Sequence, residues 1–148
     1  MKRIDKSGVI TYRVKRIESI FSKLIRFDKM ELARMHDIAG ARCIVLNEKK
    51  VRAFVKEIQN SKILEVKDID DYITNPKDTG YKSIHLRCLC DGKYIEVQVR
   101  DETQHSWATL VEITDVIYKT KIKENKDDHN TGLYEFLQLF SKSKKLTL

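Results

Sequence analysis

The sequence predicts a small mixed α/β (α+β) domain in which one sheet of about four to five mixed strands packs between helices. Three observations lead to this fold class. Apolar residues recur at helical spacing in three stretches, 13–27, 48–60 and 101–119. Short runs rich in branched side chains, Ala41–Leu46 and Lys62–Ile69, lie between these helices and predict buried strands. An Asp91-Gly92 turn joins two alternating runs, which is the pattern of a β-hairpin.

The Asp91-Gly92 turn sets the register of the predicted hairpin. Counted outward from the turn, the facing pairs are Leu89 with Tyr94, Arg87 with Glu96, His85 with Gln98, and Ser83 with Arg100. The opposite face brings Ile84, Leu86 and Cys88 against Val99, Val97 and Ile95. One face is therefore apolar, and the other carries a carboxylate, an amide, an imidazole, a hydroxyl and two guanidinium groups. This mixture is more typical of a binding site than of a plain solvated face, which is the alternative.

Length and composition fit one globular domain spanning residues 1–148, with 41% hydrophobic residues and a net charge of +7. No apolar run is long enough to span a membrane, and the charged first residues do not resemble a signal peptide. The three cysteines, at 43, 88 and 90, fall in strand-like runs and are interpreted as buried free thiols. We therefore expect a cytoplasmic protein with no membrane contact. The positive charge favours anionic partners such as nucleotides, phosphates or RNA.

The first predicted helix carries a row of cations. Residues 1–11 show no periodicity and are expected to form a loose end, while the stripe predicted to face the core consists of Val14, Ile17, Phe21, Leu24 and Ile25. Lys15, Ser19 and Lys23 lie at i, i+4 and i+8, so they would align on one side of a helix. Two ammonium groups and a hydroxyl in such a row could hold a polyphosphate. A solvated basic face is the alternative.

The rest of the chain supplies helices and one long loop. Asn47 is the expected N-cap of the second helix, and Asp101 or Thr103 that of the third. The third helix is expected to turn Trp107, Leu110, Val111, Thr114 and Ile117 inward, and a last helix over Gly132–Ser143 to bury Leu133, Phe136, Leu137 and Phe140. A short helical turn is expected over Lys29–Met35. The loop 70–82, with Pro76 and Gly80, is long for a small domain, and such loops are commonly functional.

Two isolated carboxylates, Asp37 before the first buried strand and Glu96 on the hairpin, stand among many cations. Two carboxylates at about 4 Å repel by about 4 kcal/mol at an effective dielectric constant of about 20. Such a pair takes up a proton or holds a cation, and beside phosphates the expected cation is Mg²⁺. The pattern predicts a metal and polyphosphate site, for which Asp37 as a simple turn residue is the alternative.

Five motifs in order are similar to the synthetase domain of the RelA/SpoT-type alarmone synthetases, especially the small single-domain forms. They are Arg13-x-Lys15-x3-Ser19-Ile20-x2-Lys23, DIAGARCIV, DYITNPKDTGYKSIH, EVQVR and His105-x-Trp107-Ala108, and they span residues 12–112. The resemblance implies a nucleotidyltransferase-like fold. It implies Mg²⁺-dependent transfer of pyrophosphate from ATP to the 3′-hydroxyl of GDP or GTP, which makes (p)ppGpp and AMP.

The resemblance also implies roles for individual residues. On the ATP side, Arg13 would lie by the adenine, Lys15, Ser19 and Lys23 by the phosphates, and Arg42 close to them. Asp37 and Glu96 would hold the metal, with Glu96 at the 3′-hydroxyl as a candidate general base and Gln98 beside it. On the acceptor side, Tyr81 would stack on the guanine and Lys77 would meet the phosphates, with His85 and Arg100 lining the site. His105 and Trp107 are interpreted as packing residues.

Some features leave alternatives open. Asp101 follows Arg100 where the family usually has Thr, which bears on helix capping more than on catalysis. No hydrolase domain precedes the chain, so no alarmone hydrolysis is expected, and the chain is either a trimmed form or a fragment of a longer protein.

One rival function is toxin-like transfer of pyrophosphate to the 3′-CCA end of tRNA. Another is a non-catalytic nucleotide- or RNA-binding module. The sequence leaves the oligomeric state open and allows a homo-oligomer.

Overall fold

A five-stranded mixed sheet forms the centre of the computed structural model, which describes residues 3–32, 35–118 and 131–142. The elements are β1 (Val9–Val14), α1 (Ile17–Arg26), β2 (Ala39–Val45), α2 (Glu48–Gln59), β3 (Glu65–Asp71), β4 (Ile84–Cys90), β5 (Lys93–Asp101), α3 (Glu102–Tyr118) and α4 (Thr131–Lys142). The strand order is β1-β2-β5-β4-β3. Of the four described strand pairs, only β2 with β5 is parallel. The predicted fold class is confirmed.

The hairpin register is confirmed for the six predicted pairs from Ile84 onward, whereas the predicted pair of Ser83 with Arg100 is not part of the ladder, because β4 begins at Ile84. The structure aligns Leu89 with Tyr94, Arg87 with Glu96, His85 with Gln98, Leu86 with Val97, Ile84 with Val99, and Cys88 with Ile95. Asp91 and Gly92 have φ angles of 49° and 74°, the left-handed conformation that such a tight turn requires. Two members of the predicted polar face make hydrogen bonds outside the predicted pairs. Ser83 precedes β4, is buried and donates to the Val99 carbonyl, and Arg87 pairs with carboxylates of β3.

The N-terminal prediction is wrong, because residues 9–14 form a strand and not the start of a helix. β1 pairs antiparallel with β2, and its branched and aromatic residues suit a strand once β2 supplies a partner. Arg13 therefore lies on β1, and Lys15 lies between β1 and α1. The first residues are not a loose end either. The buried carboxylate of Asp5 accepts hydrogen bonds from Ser7 and from the backbone N–H of Leu46.

The apolar stripe of α1 faces outward, contrary to the prediction. Ile17, Phe21 and Ile25 are 66%, 60% and 78% exposed. Lys15 and Lys23 both bind the carboxylate of Asp37, so the lysine side of this segment faces the sheet. Three residues of the stripe therefore lie on the exposed side of the helix, and Leu24 is half-buried.

One face of the sheet packs against α2 and forms the main core. Asn47 caps α2 as predicted, since its side chain accepts from the N–H of Lys50. The buried residues of α2 are Val51, Phe54, Val55 and Ile58, which pack with Cys43, Val45, Leu86, Val97 and Val99 of the sheet. The strand predicted over 62–69 runs from Glu65 to Asp71, so the loop begins two residues later than predicted.

Helices α3 and α4 form a second, smaller core. The Asp101 side chain accepts from the N–H of Gln104, and the Gln104 side chain accepts from the N–H of Asp101, which confirms the predicted cap. Trp107, Ala108, Val111 and Leu137 are buried in this core. Two residues predicted to face inward do not, since Ile117 is 65% and Phe136 53% exposed. They lie on the outer sides of α3 and α4, which the small second core leaves uncovered.

Some predictions fall partly outside the described residues. The turn expected over Lys29–Met35 includes residues 33 and 34, which lie outside the described ranges. The last residues of the helices predicted over 101–119 and 132–143 lie just beyond these ranges as well. All three cysteines are free thiols; Cys43 and Cys88 are buried and Cys90 is half-buried. None of the described helices is both long and apolar enough to cross a membrane.

Candidate active site

The predicted site residues gather on the face of the sheet opposite α2. Alternation brings polar side chains of β1, β2, β4 and β5 to this face, where they line a cavity of about 190 Å³ with the loop after β3 and with α3. The lining residues are Arg13, Arg42, Lys77, Thr79, Tyr81, His85, Gln98, Arg100 and Glu112. A small adjoining cleft shares Arg13 and Gln98 and adds Asp37 and Glu96. A larger, open groove beside β3 contains none of the predicted site residues.

Asp37 is held by the lysines that the sequence placed in a row. Lys15 Nζ lies 2.5 Å from Asp37 Oδ2, and Lys23 Nζ lies 3.0 Å from Asp37 Oδ1. Burial raises the pKa of Asp37. The two lysines lower it by a larger amount, so the pKa lies below its usual value. Ser19 is exposed on α1, one turn before Lys23. The two ammonium groups are therefore paired with a carboxylate that lines the cleft.

Glu96 is the centre of a hydrogen-bonded chain across the hairpin. Its two oxygens lie 3.0 Å from His85 Nδ1 and 2.7 Å from Gln98 Nε2. His85 Nε2 in turn lies 2.8 Å from the hydroxyl of Tyr81. Because the carboxylate can only accept, His85 donates from Nδ1, and in the tautomer that carries its proton there Nε2 accepts a hydrogen bond from the Tyr81 hydroxyl. The chain Tyr81–His85–Glu96–Gln98 fixes the orientation of the carboxylate.

The environment of Glu96 keeps it ionised. Burial raises the pKa of Glu96, the hydrogen bonds from His85 and Gln98 lower it, and the charge of Asp37 raises it, with a net pKa below the usual value. An ionised carboxylate is a good oxygen ligand for a hard cation. A low pKa also makes it a weak general base at neutral pH. The geometry therefore favours Glu96 as a ligand and an orienting acceptor over Glu96 as a strong base.

The cavity is rich in unsatisfied cationic donors. Among the described residues, Arg42 Nε, Arg100 Nε, His105 Nδ1 and Thr79 Oγ1 are buried polar atoms without a hydrogen-bond partner. Arg100 is only 1% exposed, and burial lowers its pKa to about 10, which leaves it charged at neutral pH. A buried donor left unpaired costs about 1–3 kcal/mol. Unpaired guanidinium nitrogens in one cavity fit an anionic ligand such as a phosphate.

The loop after β3 brings aromatic rings to the cavity. The half-buried ring of Tyr81 lies 6.0 Å from that of Tyr72, 5.7 Å from His85 and 6.1 Å from Trp107, between centroids. The ammonium of Lys77 lies 4.7 Å from the Tyr72 centroid and 5.7 Å from the Tyr81 centroid. Lys77 and Tyr81, the two residues predicted for the acceptor, thus lie side by side.

Sequence reasoning missed four residues of this region: Tyr72, Thr79, His105 and Glu112. His105 was interpreted as a packing residue, yet its Nδ1 is a buried atom without a hydrogen-bond partner, and its pKa is lowered by burial and then by the charges of Arg100 and Arg42. His105 and Glu112 are seven residues apart and so lie on one face of α3. That spacing was a usable signal. The packing role of Trp107 is confirmed, because it is buried and its indole N–H donates to the Leu137 carbonyl.

The chain is similar to known proteins over most of its length. A sequence model of the region found in RelA / SpoT proteins matches residues 12–123. The probable GTP diphosphokinase RSH3, chloroplastic, of Arabidopsis thaliana is 36% identical over 101 residues, which cover 66% of this chain and 14% of that protein. The chain spans a fifth or less of the length of several such curated relatives.

Two solved structures from Bacillus subtilis share the fold. Small alarmone synthetase 2 has a TM-score of 0.78 at 27% identity, over 90% of this chain and 72% of that chain. Small alarmone synthetase 1 bound to its product pppGpp has a TM-score of 0.76 at 26% identity, over 89% of this chain and 69% of that chain. Since the family region covers well over half of the sequence and the fold agrees, the chain belongs to the RelA/SpoT family.

Proposed function

We propose that this chain transfers pyrophosphate from ATP to the 3′-hydroxyl of GDP or GTP and so makes (p)ppGpp. The observation that carries the proposal is the position of Glu96, an ionised carboxylate between the cleft at Asp37 and the cavity lined by arginines. A structural neighbour, small alarmone synthetase 1, binds pppGpp as its product. The name of a relative, GTP diphosphokinase, indicates the same reaction.

Asp37 and Glu96 are the residues that would hold Mg²⁺. They line one cleft and interact electrostatically, and both are ionised oxygen donors. The described residues contain no group of three or more His, Cys, Asp or Glu side chains that could hold a metal. Mg²⁺ fits this pair nevertheless, because in such sites one or two carboxylates and the substrate phosphates are its usual ligands. When bound, it would add positive charge beside the phosphate oxygens.

The remaining residues would position the two substrates. Lys15 and Lys23 would exchange Asp37 for the ATP phosphates, with Ser19 and Arg42 close to them and Arg13 toward the base. Lys77 and Tyr81 would bind the acceptor, and Arg100 would neutralise phosphate charge from beneath. Glu96, oriented by His85 and Gln98, would accept a hydrogen bond from the 3′-hydroxyl. Phosphoryl transfer requires mainly positioning and charge neutralisation, which these groups supply.

The test is a transfer assay with β- or γ-labelled ATP and Mg²⁺, with GDP, GTP or bulk tRNA in separate tubes. We expect label to enter the guanine nucleotides. Glu96→Gln should retain less than a tenth of the turnover, a loss of at least about 1.4 kcal/mol in barrier, while binding of a non-hydrolysable ATP analogue stays within a few fold. Glu65→Gln, on the exposed end of β3, is the matched control and should leave turnover unchanged.

Three outcomes would contradict the proposal. Label that enters tRNA alone would establish the rival acceptor. Nucleotide binding by calorimetry without any turnover would point to a binding module. A Glu96→Gln variant with near wild-type turnover would remove this carboxylate from its role.

A further inference from the structure

We propose that helix α4 is a positioning element for acceptor binding, because it holds the loop 77–82 in its binding conformation. We call these residues the acceptor loop. The inference rests on the proposed function for the roles of Lys77 and Tyr81, but its contacts do not. None of the sequence motifs includes α4, and none of its described residues lines the cavity or the cleft.

Two side chains of α4 bind one carbonyl of the loop. The hydroxyl of Tyr134 donates to the Asp78 carbonyl at 2.9 Å, and Gln138 Nε2 donates to the same oxygen at 2.7 Å. A carbonyl oxygen has two lone pairs, so these donors can satisfy both. Asp78 directly follows Lys77, whose ammonium lies over the ring of Tyr81. The backbone that carries Lys77 is therefore fixed from α4.

A second contact fixes the loop at Gly80. Ser141 Oγ donates to the Gly80 carbonyl at 2.5 Å, and Lys82 Nζ donates to the Ser141 carbonyl at 2.9 Å. Gly80 has a φ of +87°, and a Cβ added there would lie 2.9 Å from Ser141 Cβ. The loop and the last turn of α4 thus touch without space for a side chain between them.

Helix α4 is itself anchored to the rigid part of the domain. The buried indole of Trp107 on α3 donates to the Leu137 carbonyl at 2.7 Å, and the Leu137 side chain is fully buried. The ring of Trp107 also contacts that of Tyr81. Inside the loop, the N–H of Gly80 donates to the Lys77 carbonyl. A binding loop held in place in advance loses less freedom when its ligand binds, so these contacts favour acceptor affinity.

The test removes both donors to Asp78 while it preserves side-chain shape. In Tyr134→Phe/Gln138→Met we expect the KM for GDP and GTP to rise at least fivefold. The KM for ATP should stay within twofold, because α4 does not line the ATP side. We expect the melting temperature to change little, since the ring and the aliphatic chain are kept. Glu135→Gln, exposed on the same helix, is the matched control and should match the wild type in every measurement.

Hydrogen exchange gives a readout that does not depend on turnover. The N–H groups of Lys77 and Gly80 are bonded inside the loop, and they should exchange faster in the double variant than in the wild type. Unchanged exchange would overturn the inference. So would faster exchange with unchanged affinity for GDP and GTP by calorimetry, or an equal rise in both KM values. A wild-type chain with neither transfer nor guanine nucleotide binding would refute the proposed function, and exchange alone would then decide whether α4 holds the loop.

Discussion

Gly40 is the residue that allows β2 and β5 to approach each other beside the cleft. It is paired with Glu96 in the parallel ladder. A Cβ placed on Gly40 would overlap the carbonyl oxygen of Glu96 and lie 3.1 Å from its carbonyl carbon. The obstacle is backbone in the centre of the sheet, which cannot rotate away as a flexible side chain would. The position of the Glu96 carboxylate therefore depends on the missing side chain at residue 40.

We expect Gly40→Ala to lower the free energy of unfolding by about 1–3 kcal/mol, the usual cost of overpacking. It should also lower transfer activity, because the displaced backbone carries Glu96. Urea unfolding and the labelled-ATP assay measure the two effects. Gly132→Ala is the control. Residue 132 lies in helix α4, and a Cβ added there would meet open space. A Gly40→Ala variant with the stability and activity of the wild type would show that β2 and β5 can move apart at no cost.

At the scale of elements, helices α1 and α2 are held by different forces. Helix α2 buries four apolar residues against the sheet and has a side-chain cap at Asn47. Helix α1 has no side-chain cap and no buried residue, and ion pairs to Asp37 hold its segment. Packing supports α2 independently of ligands. The lysines that support α1 are the ones proposed to bind ATP, so this element is coupled to the site.

The cap of α2 makes a quantitative prediction. Asn47→Ala removes the acceptor for the N–H of Lys50 and should lower the free energy of unfolding by about 1 kcal/mol. Asn60→Ala makes the same chemical change at the other end of α2, where the backbone of residue 60 and not its side chain makes the hydrogen bonds. It should change stability by less than about 0.5 kcal/mol. Two variants of equal stability in urea would contradict a capping role for Asn47.

At the scale of the whole molecule, carboxylates with lowered pKa values outnumber those with raised ones. The lowered groups among the described residues are Asp5, Asp37, Asp68, Asp71 and Glu96. Asp71 is an example: burial raises its pKa, but Arg52 and the Thr74 hydrogen bonds lower it to about 2. Asp101 has the opposite sign, because burial raises its pKa. Burial lowers the pKa of His105, which favours its neutral form.

These shifts predict loss of stability in acid. A carboxyl group with a lowered pKa binds fewer protons in the folded than in the unfolded state. Its contribution to the free energy of unfolding is complete above its pKa in the unfolded chain, about 4, and is lost as the pH falls through its pKa in the folded state. The neutral His105 adds a smaller loss below about pH 6.5. We expect the urea midpoint to be level from about pH 7 to 8 and to fall steeply below about pH 4. Asp71→Asn should make that acid decline shallower. A midpoint that stays level or rises on acidification would refute this assignment.

Much of the site can be predicted from local patterns. A tight turn and a period of two sufficed to place Glu96 opposite Arg87 and His85 opposite Gln98, because register follows from a turn that the chain makes with its own neighbours. The unpaired state of Thr79 Oγ1 and His105 Nδ1 could not be predicted in this way. Their buried, unpaired atoms arise only where the loop and α3 meet the arginines of β2 and β5.

The sequence alone was sufficient for the order of most elements, the hairpin, two helix caps and the family motifs, since each depends on residues close together in the chain. Tertiary structure alone decided whether residues 9–14 form a strand, because that strand exists only through its pairing with β2. It also decided which side of α1 faces the sheet. There Lys23 pairs with Asp37, a residue 14 positions away, and the side of the helix with the lysine faces the sheet. The hydrogen bonds from α4 to the acceptor loop join residues about 60 positions apart, and no local pattern encodes such contacts.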